Sequence, residues 1–140
     1  MPIILEGLND NKIIEFTPTG VSMFPNIIGN IDKVYLSKID KLKKYDMVLY
    51  KKENGPYILH RIIKVKKDYY IIEGDNQLRF KDKVCKKDII AKVIKYEHKG
   101  KMIDCNIKKF YFNSFFKVLL KFPRKVFYKI FKTKQRYDKQ

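Results

Sequence analysis

Three short stretches hold the residues whose types could do chemistry together: Ser22 in Gly20-Val21-Ser22-Met23-Phe24-Pro25, His60 in Ile58-Leu59-His60-Arg61-Ile62-Ile63, and Asp75 in Gly74-Asp75-Asn76. A serine hydroxyl is inert until a base takes its proton, and histidine, titrating near neutrality, is the usual base. A carboxylate holding the far ring nitrogen then fixes the tautomer of the imidazole. Each residue also has a plain structural reading. Ser22 suits a turn or cap, His60 suits packing within a strand, and Asp75 suits the shaping of a turn. For any one of the three the structural reading is the better one; only read together, in this order, do they match the parts of a nucleophilic site.

The elements that must position them are mostly strands. Lys12-Ile13-Ile14-Glu15-Phe16-Thr17 is rich in β-branched and aromatic residues, and Pro18 and Gly20 stop any continuing ladder, so Ser22 sits at a strand exit. Phe24-Pro25-Asn26-Ile27-Ile28-Gly29 fits one turn of helix, with Pro25 near its start and Gly29 at its end. Such a turn would aim backbone N–H groups near the hydroxyl. His60 falls within Tyr57 to Val65, joined to Met47 to Lys51 by the turn Glu53-Asn54-Gly55-Pro56 as a β-hairpin. Tyr69 to Glu73 follows and stops at Gly74-Asp75-Asn76, which puts His60 and Asp75 on adjacent strands. Further strands are predicted over Lys33 to Leu36, Ile89 to Tyr96 and Met102 to Cys105, the last two joined by His98-Lys99-Gly100-Lys101. Short strands at regular spacing with little helix between them predict a mainly β chain, an antiparallel and barrel-like sheet.

With 140 residues, 45% hydrophobic and 14% aromatic content, the chain is large enough for a core and is not disordered. Residues 1–106 read as the β domain and 107–140 as a basic amphipathic helix and tail. Cys85 and Cys105 belong to no Cys-x-x-Cys or Cys/His cluster, so neither a metal site nor a disulfide framework is expected, and no cofactor is implied. The start, Met1-Pro2-Ile3-Ile4-Leu5-Glu6, does not resemble a signal peptide, and no uncharged apolar run approaches the ~18 residues of a spanning helix. A role at a membrane therefore requires lying on it or borrowing an anchor. The net charge of +17 fits nucleic acid, an anionic membrane or a merely lysine-rich composition. Residues 107–140 carry 11 Lys and Arg against the single acid Asp138, so the excess is concentrated at the C-terminal end.

In that segment Phe112, Phe115, Phe116, Leu119, Val126 and Ile130 recur at helical spacing, while Lys117, Lys121, Lys125, Lys129 and Lys132 follow every three or four residues on another face. The helix is expected to kink or break at Pro123. Three readings stay open: a helix packed on the core with a solvated basic face, a helix lying on a membrane surface, and a nucleic-acid tail. Phenylalanine and leucine opposite lysines suit an interfacial helix. No base-reading motif accompanies the tail.

Taken together, the motifs resemble the signal peptidase I and LexA-like serine peptidase superfamily over roughly residues 12–104. Gly20-x-Ser22-Met23-x-Pro25 looks like its nucleophile box, and Tyr45-Asp46-Met47-Val48-Leu49-Tyr50 looks like its Gly-Asp-x-Val strand with Tyr45 in place of the glycine. The strand around His60 is similar to the one carrying the general base. Bacterial signal peptidases and LexA-type proteases have lysine there; histidine, together with Gly74-Asp75-Asn76-Gln77, resembles the archaeal and endoplasmic-reticulum type. The resemblance implies a LexA/signal-peptidase-like fold, with Ser22 as nucleophile, His60 as general base, Asp75 as orienting acid, and Asp82 as a weaker candidate for a second acidic position. It also implies an oxyanion site at the Ser22 backbone N–H and neighbouring turn amides. The hydroxyl that signal peptidases carry two residues before the nucleophile is replaced by Gly20, with Thr19 as a substitute.

Two departures bear on function. The usual membrane-spanning anchor is not seen, and the basic helix over residues 107–132 is expected to serve instead on an anionic membrane surface, with a membrane-anchored partner subunit as another route. Self-cleaving repression is not expected, because only 21 residues precede Ser22 and the sole alanine, Ala91, is followed by Lys92 rather than glycine. The expectation is a serine endopeptidase cleaving leader or signal peptides, peripheral on a membrane or cytoplasmic. The alternatives are a catalytically silent domain that binds a membrane or protein partner and, less favoured, a nucleic-acid binder.

Overall fold

Residue alternation sets the architecture, and the strand Met47–Lys51 shows how. Met47 and Leu49 enter one apolar cluster with Val34, Leu36, Leu59, Ala91 and Val93. Val48 and Tyr50, pointing the opposite way as period-2 geometry requires, enter a second cluster with Ile62, Tyr70, Ile72 and Ile89. A sheet with apolar material on both faces results. The computed structural model describes the backbone of residues 2–78 and 81–137 and the side chains of residues 4–78 and 81–124.

The chain runs α1 (Pro2–Asn9), β1 (Ile14–Phe16), β2 (Lys33–Ser37), β3 (Met47–Lys51), β4 (Tyr57–Val65), β5 (Tyr69–Glu73), β6 (Asp82–Cys85), β7 (Ile89–His98), β8 (Lys101–Asp104) and α2 (Lys108–Tyr137). The sheet is antiparallel, with order β1-β2-β7-β3-β4-β5-β6 and β8 paired to β7. It is open rather than barrel-like. Its edges are the three-residue β1, whose ladder ends before Pro18, and the four-residue β6, and they do not pair with each other. After Ser22 the Ile27 N–H donates to the Met23 carbonyl four residues back at 2.9 Å, so the single turn expected there is an isolated α-turn that does not propagate into a helix, and a tighter turn joins Phe24 N–H to the Val21 carbonyl at 3.1 Å. Helix α2 runs through Pro123, so of the kink or break expected there the break does not occur.

The orientation of α2 reverses the expected division of its faces. Phe110 joins the larger core cluster, Ser114 is buried, and Lys121 is buried against Glu73 and the Gly74 carbonyl. Phe112, Phe115, Phe116, Leu119, Leu120 and Phe122 are exposed. Phe110, Ser114 and Lys121 lie four and seven residues apart, about one and two turns, and so share the inward stripe, which leaves Phe112, Phe115, Phe116 and Phe122 outside. Val126 and Ile130, with Lys125, Lys129 and Lys132, lie outside the described side chains. Because Phe110 is 5% exposed, Phe110→Ala is expected to cost about 3–5 kcal/mol in urea unfolding of the full chain. A loss below about 0.5 kcal/mol, the range of an ordinary surface substitution, would contradict the docking of α2.

Candidate catalytic site

The serine turn is held from both ends. Gly20 adopts φ +81°, a conformation that favours glycine, and a Cβ on Gly29 would fall 1.9 Å from the Gly20 carbonyl oxygen, so the two glycines allow the loop to close on itself. Asn30 N–H donates to the Pro18 carbonyl at 2.7 Å. Asp32 accepts from the Ile28 N–H at 2.8 Å and contacts His98 Nδ1 at 2.6 Å. Met23 and Ile27 are buried beneath the turn. Ser22 itself is half-buried, and neither its hydroxyl nor its backbone N–H donates to a protein group among the described residues. Its carbonyl accepts from Asn76 N–H at 2.7 Å, and Asn76 Nδ2 donates to the Val21 carbonyl at 3.0 Å. The turn is thereby stitched to the exit of β5.

His60 reaches the same place from β4. Its register partner is Val48, so it shares a face with Val48 and Tyr50, whereas Arg61, opposite Met47, points to the other face. A Cβ on Gly74 would lie 3.0 Å from His60 Nε2 and 2.7 Å from the Ser22 carbonyl oxygen. The imidazole thus faces the serine turn across a glycine that leaves room for it. Nε2 makes no hydrogen bond among the described residues. Nδ1 lies 3.1 Å from the Tyr50 hydroxyl, which donates to Asp82 Oδ2 at 2.6 Å, and Lys52 Nζ lies 2.7 Å from Asp82 Oδ1. Burial lowers the His60 pKa to about 4, against Asp82 and Asp75, which raise it; Lys121 and Lys52 lower it further. Burial raises the Asp82 pKa, but hydrogen bonds from Lys52 and Tyr50 outweigh it and hold the carboxyl below its ordinary value. Burial and the bond to Asp82 hold the Tyr50 phenol above its ordinary value.

Asp75 does not occupy the orienting position expected for it. Its oxygens accept from Arg61 Nε and Nη2, both at 2.8 Å, and from Asn26 Nδ2 at 2.7 Å, and no hydrogen bond joins it to His60 among the described residues. Burial pushes its pKa up, yet the Arg61 charge and these bonds outweigh burial and hold it low. The physical reason is that Arg61, the chain neighbour of His60, is fully buried and takes the carboxylate. Asp82, the weaker sequence candidate, is the acid connected to His60, through Tyr50. The sequence reading missed Tyr50 as a site residue. The hairpin contains the signal: with Val48 opposite His60, Tyr50 lies on the same face one pleat along. Lys64, four positions beyond His60, is solvent-exposed past a β-bulge between Ile62 and Lys64.

A cleft of about 280 Å³ opens beside Ser22, lined by Phe16, Thr19, Gly20, Met23, Ile27 and Leu59 among others. Its mixed lining of apolar side chains and turn backbone, with the free backbone amide of Ser22, suits an extended chain whose carbonyl approaches the hydroxyl. Among the described residues no group of His, Cys, Asp and Glu is placed to hold a metal ion. No protein-family model, curated protein or solved structure matches this chain.

Proposed function

We propose that the chain is a serine endopeptidase of the signal-peptidase type, with Ser22 as nucleophile and His60 as general base, in a LexA/signal-peptidase-like fold. The observation that carries this reading is the free Nε2 of His60 facing the serine turn across Gly74 while Nδ1 is engaged behind it. When a peptide carbonyl enters the cleft, Ser22 Oγ attacks it and its proton passes to Nε2. The oxyanion then lies near the Ser22 N–H, a type of contact worth about 3–4 kcal/mol. His60 returns the proton to the leaving amine, and an acyl-enzyme remains. Water, deprotonated by the same nitrogen, releases the acid and restores the serine. The competing reading, a catalytically silent domain, predicts the same fold without a reactive serine.

The outward aromatic face of α2 supports attachment to an anionic membrane surface. Phe112, Phe116 and Leu119 are exposed on the side opposite the docked stripe, Lys108 and Lys109 precede them, and the sequence beyond is rich in lysine. Apolar side chains enter the interface while nearby cations each contribute about 1 kcal/mol at an anionic surface. No described helix is long and apolar enough to cross a membrane.

Full-length protein is expected to cleave unstructured peptides, and Ser22→Ala to abolish cleavage with little change in melting temperature. Because the folded-state pKa of His60 is depressed to about 4, the neutral base persists below the ordinary histidine range, and cleavage falls only as pH drops through about 4. The stability contribution linked to His60 has the same sign: it is complete above the unfolded pKa near 6.5 and is lost as pH falls through the folded value. A Ser22→Ala variant as active as wild type would rule out the peptidase reading. For the membrane, the full chain is expected to co-sediment with phosphatidylcholine vesicles containing phosphatidylglycerol and to be released by salt. Phe112→Ser combined with Phe116→Ser is expected to abolish co-sedimentation. Equal binding by that variant and wild type would contradict the assignment of this face.

A further inference from the structure

The Tyr50 hydroxyl has one proton, and the hydroxyl lies 2.6 Å from a carboxylate that only accepts. That proton is therefore committed to Asp82. Toward His60 the phenolic oxygen offers only lone pairs, so at 3.1 Å it is Nδ1 that donates. The chain of bonds runs in one direction, His60 Nδ1–H to Tyr50 and Tyr50 O–H to Asp82, and it leaves a lone pair on Nε2 toward the serine turn. Lys52 holds the outer oxygen of Asp82 at 2.7 Å and opposes rotation of the carboxylate away from Tyr50. The acid expected from the sequence, Asp75, has both oxygens taken up by Arg61 and Asn26.

We propose that Tyr50 and Asp82 together are the positioning residues of the base, with the tyrosine hydroxyl relaying to His60 the orientation and negative charge that a carboxylate would otherwise supply by direct contact. The proposal rests on the reading of Ser22 and His60 as nucleophile and base. In the attack step the proton leaves Ser22 Oγ for Nε2, Nδ1 keeps its own proton, and the imidazolium shares its charge with Asp82 through the polarised phenol. No proton has to travel along the relay. The groups facing His60 come from four elements: Tyr50 from β3 with Lys52 just after it, Asp82 from β6, Asp75 from the exit of β5, and Lys121 from α2. Asp82 comes first among those that favour the imidazolium.

Nitrogen-15 NMR of the imidazoles tests this without relying on turnover. The chain has two histidines, and a His98→Gln sample assigns His60. In the full-length wild type at pH 7, His60 is expected as the Nδ1–H tautomer, with Nε2 unprotonated. Tyr50→Phe is expected to mix the tautomers. Asp82→Asn is expected to move the acidic limb of fluorophosphonate labelling at Ser22 to lower pH and to slow labelling at pH 7, by less than the ~10²–10⁴-fold of a lost general base. A merely structural role for Asp82, as a partner of Lys52 at the sheet edge, would lower stability and leave tautomer and pH limb unmoved, and that result overturns the relay. So does a wild-type Nε2–H tautomer. If Tyr50→Phe fails to fold, Asp82→Asn and the wild-type spectrum still decide. A wild type with the Nδ1–H tautomer whose serine does not react would overturn the peptidase reading while leaving the bond direction intact.

Discussion

The arrangement depends most on one buried ion pair. Arg61 is fully buried, and removing a guanidinium from water costs several kcal/mol unless it is paired and its donors are used. Here they are used. Nε and Nη2 reach the two oxygens of Asp75 at 2.8 Å, and Nη1 reaches Ser114 Oγ at 2.6 Å and the Tyr45 carbonyl at 3.2 Å. Asp75 in turn accepts from Asn26 of the serine turn. One charge pair thus joins β4, the exit of β5, the serine turn and α2. Removing one partner would leave the other charge uncompensated, a loss of about 3–5 kcal/mol.

That pair also explains why the two faces of β4 do different work. Successive residues of a strand point to opposite sides, so His60 and Arg61 serve separate environments while sharing a backbone. Arg61 anchors the structural side, where Phe110 and Ser114 dock α2. His60 faces the proposed catalytic site, with Tyr50 and Asp82 behind it and Gly74 in front. Lys121 links the two, because its contacts with Glu73 and the Gly74 carbonyl bind the helix to the strand exit that faces both His60 and Ser22.

Much of the sheet was legible in the sequence. The strands Met47–Lys51, Tyr57–Val65 and Tyr69–Glu73 follow from alternation and from turn residues, which are local signals. What was not legible depends on distant partners. The strand β6 was missed because Lys81-Asp82-Lys83-Val84-Cys85 is mostly polar, as an edge strand allows. Closure of the sheet depends on whether its two edges meet, and no local pattern encodes that. The helical spacing after residue 107 gave two faces but not the one that docks. Burial of Lys121 requires Glu73 and the Gly74 carbonyl beside it, which only the fold supplies. The proximity of Asp75 to the site was foreseen, its commitment to Arg61 was not, since a carboxylate chooses among cations by geometry rather than by sequence order.

The proposed chemistry requires Ser22 to be a nucleophile activated by His60. Its most direct measurement is fluorophosphonate labelling of the folded full-length chain at pH 7, followed by peptide mapping in the mass spectrometer. Formation of the adduct expels fluoride and adds one phosphonyl group. Activation of Ser22 by His60 would give one adduct, on Ser22, formed in His60→Gln more slowly by about the 10²–10⁴-fold expected of a missing general base. An unlabelled chain, or labelling of Ser22 that is indifferent to His60, would contradict it.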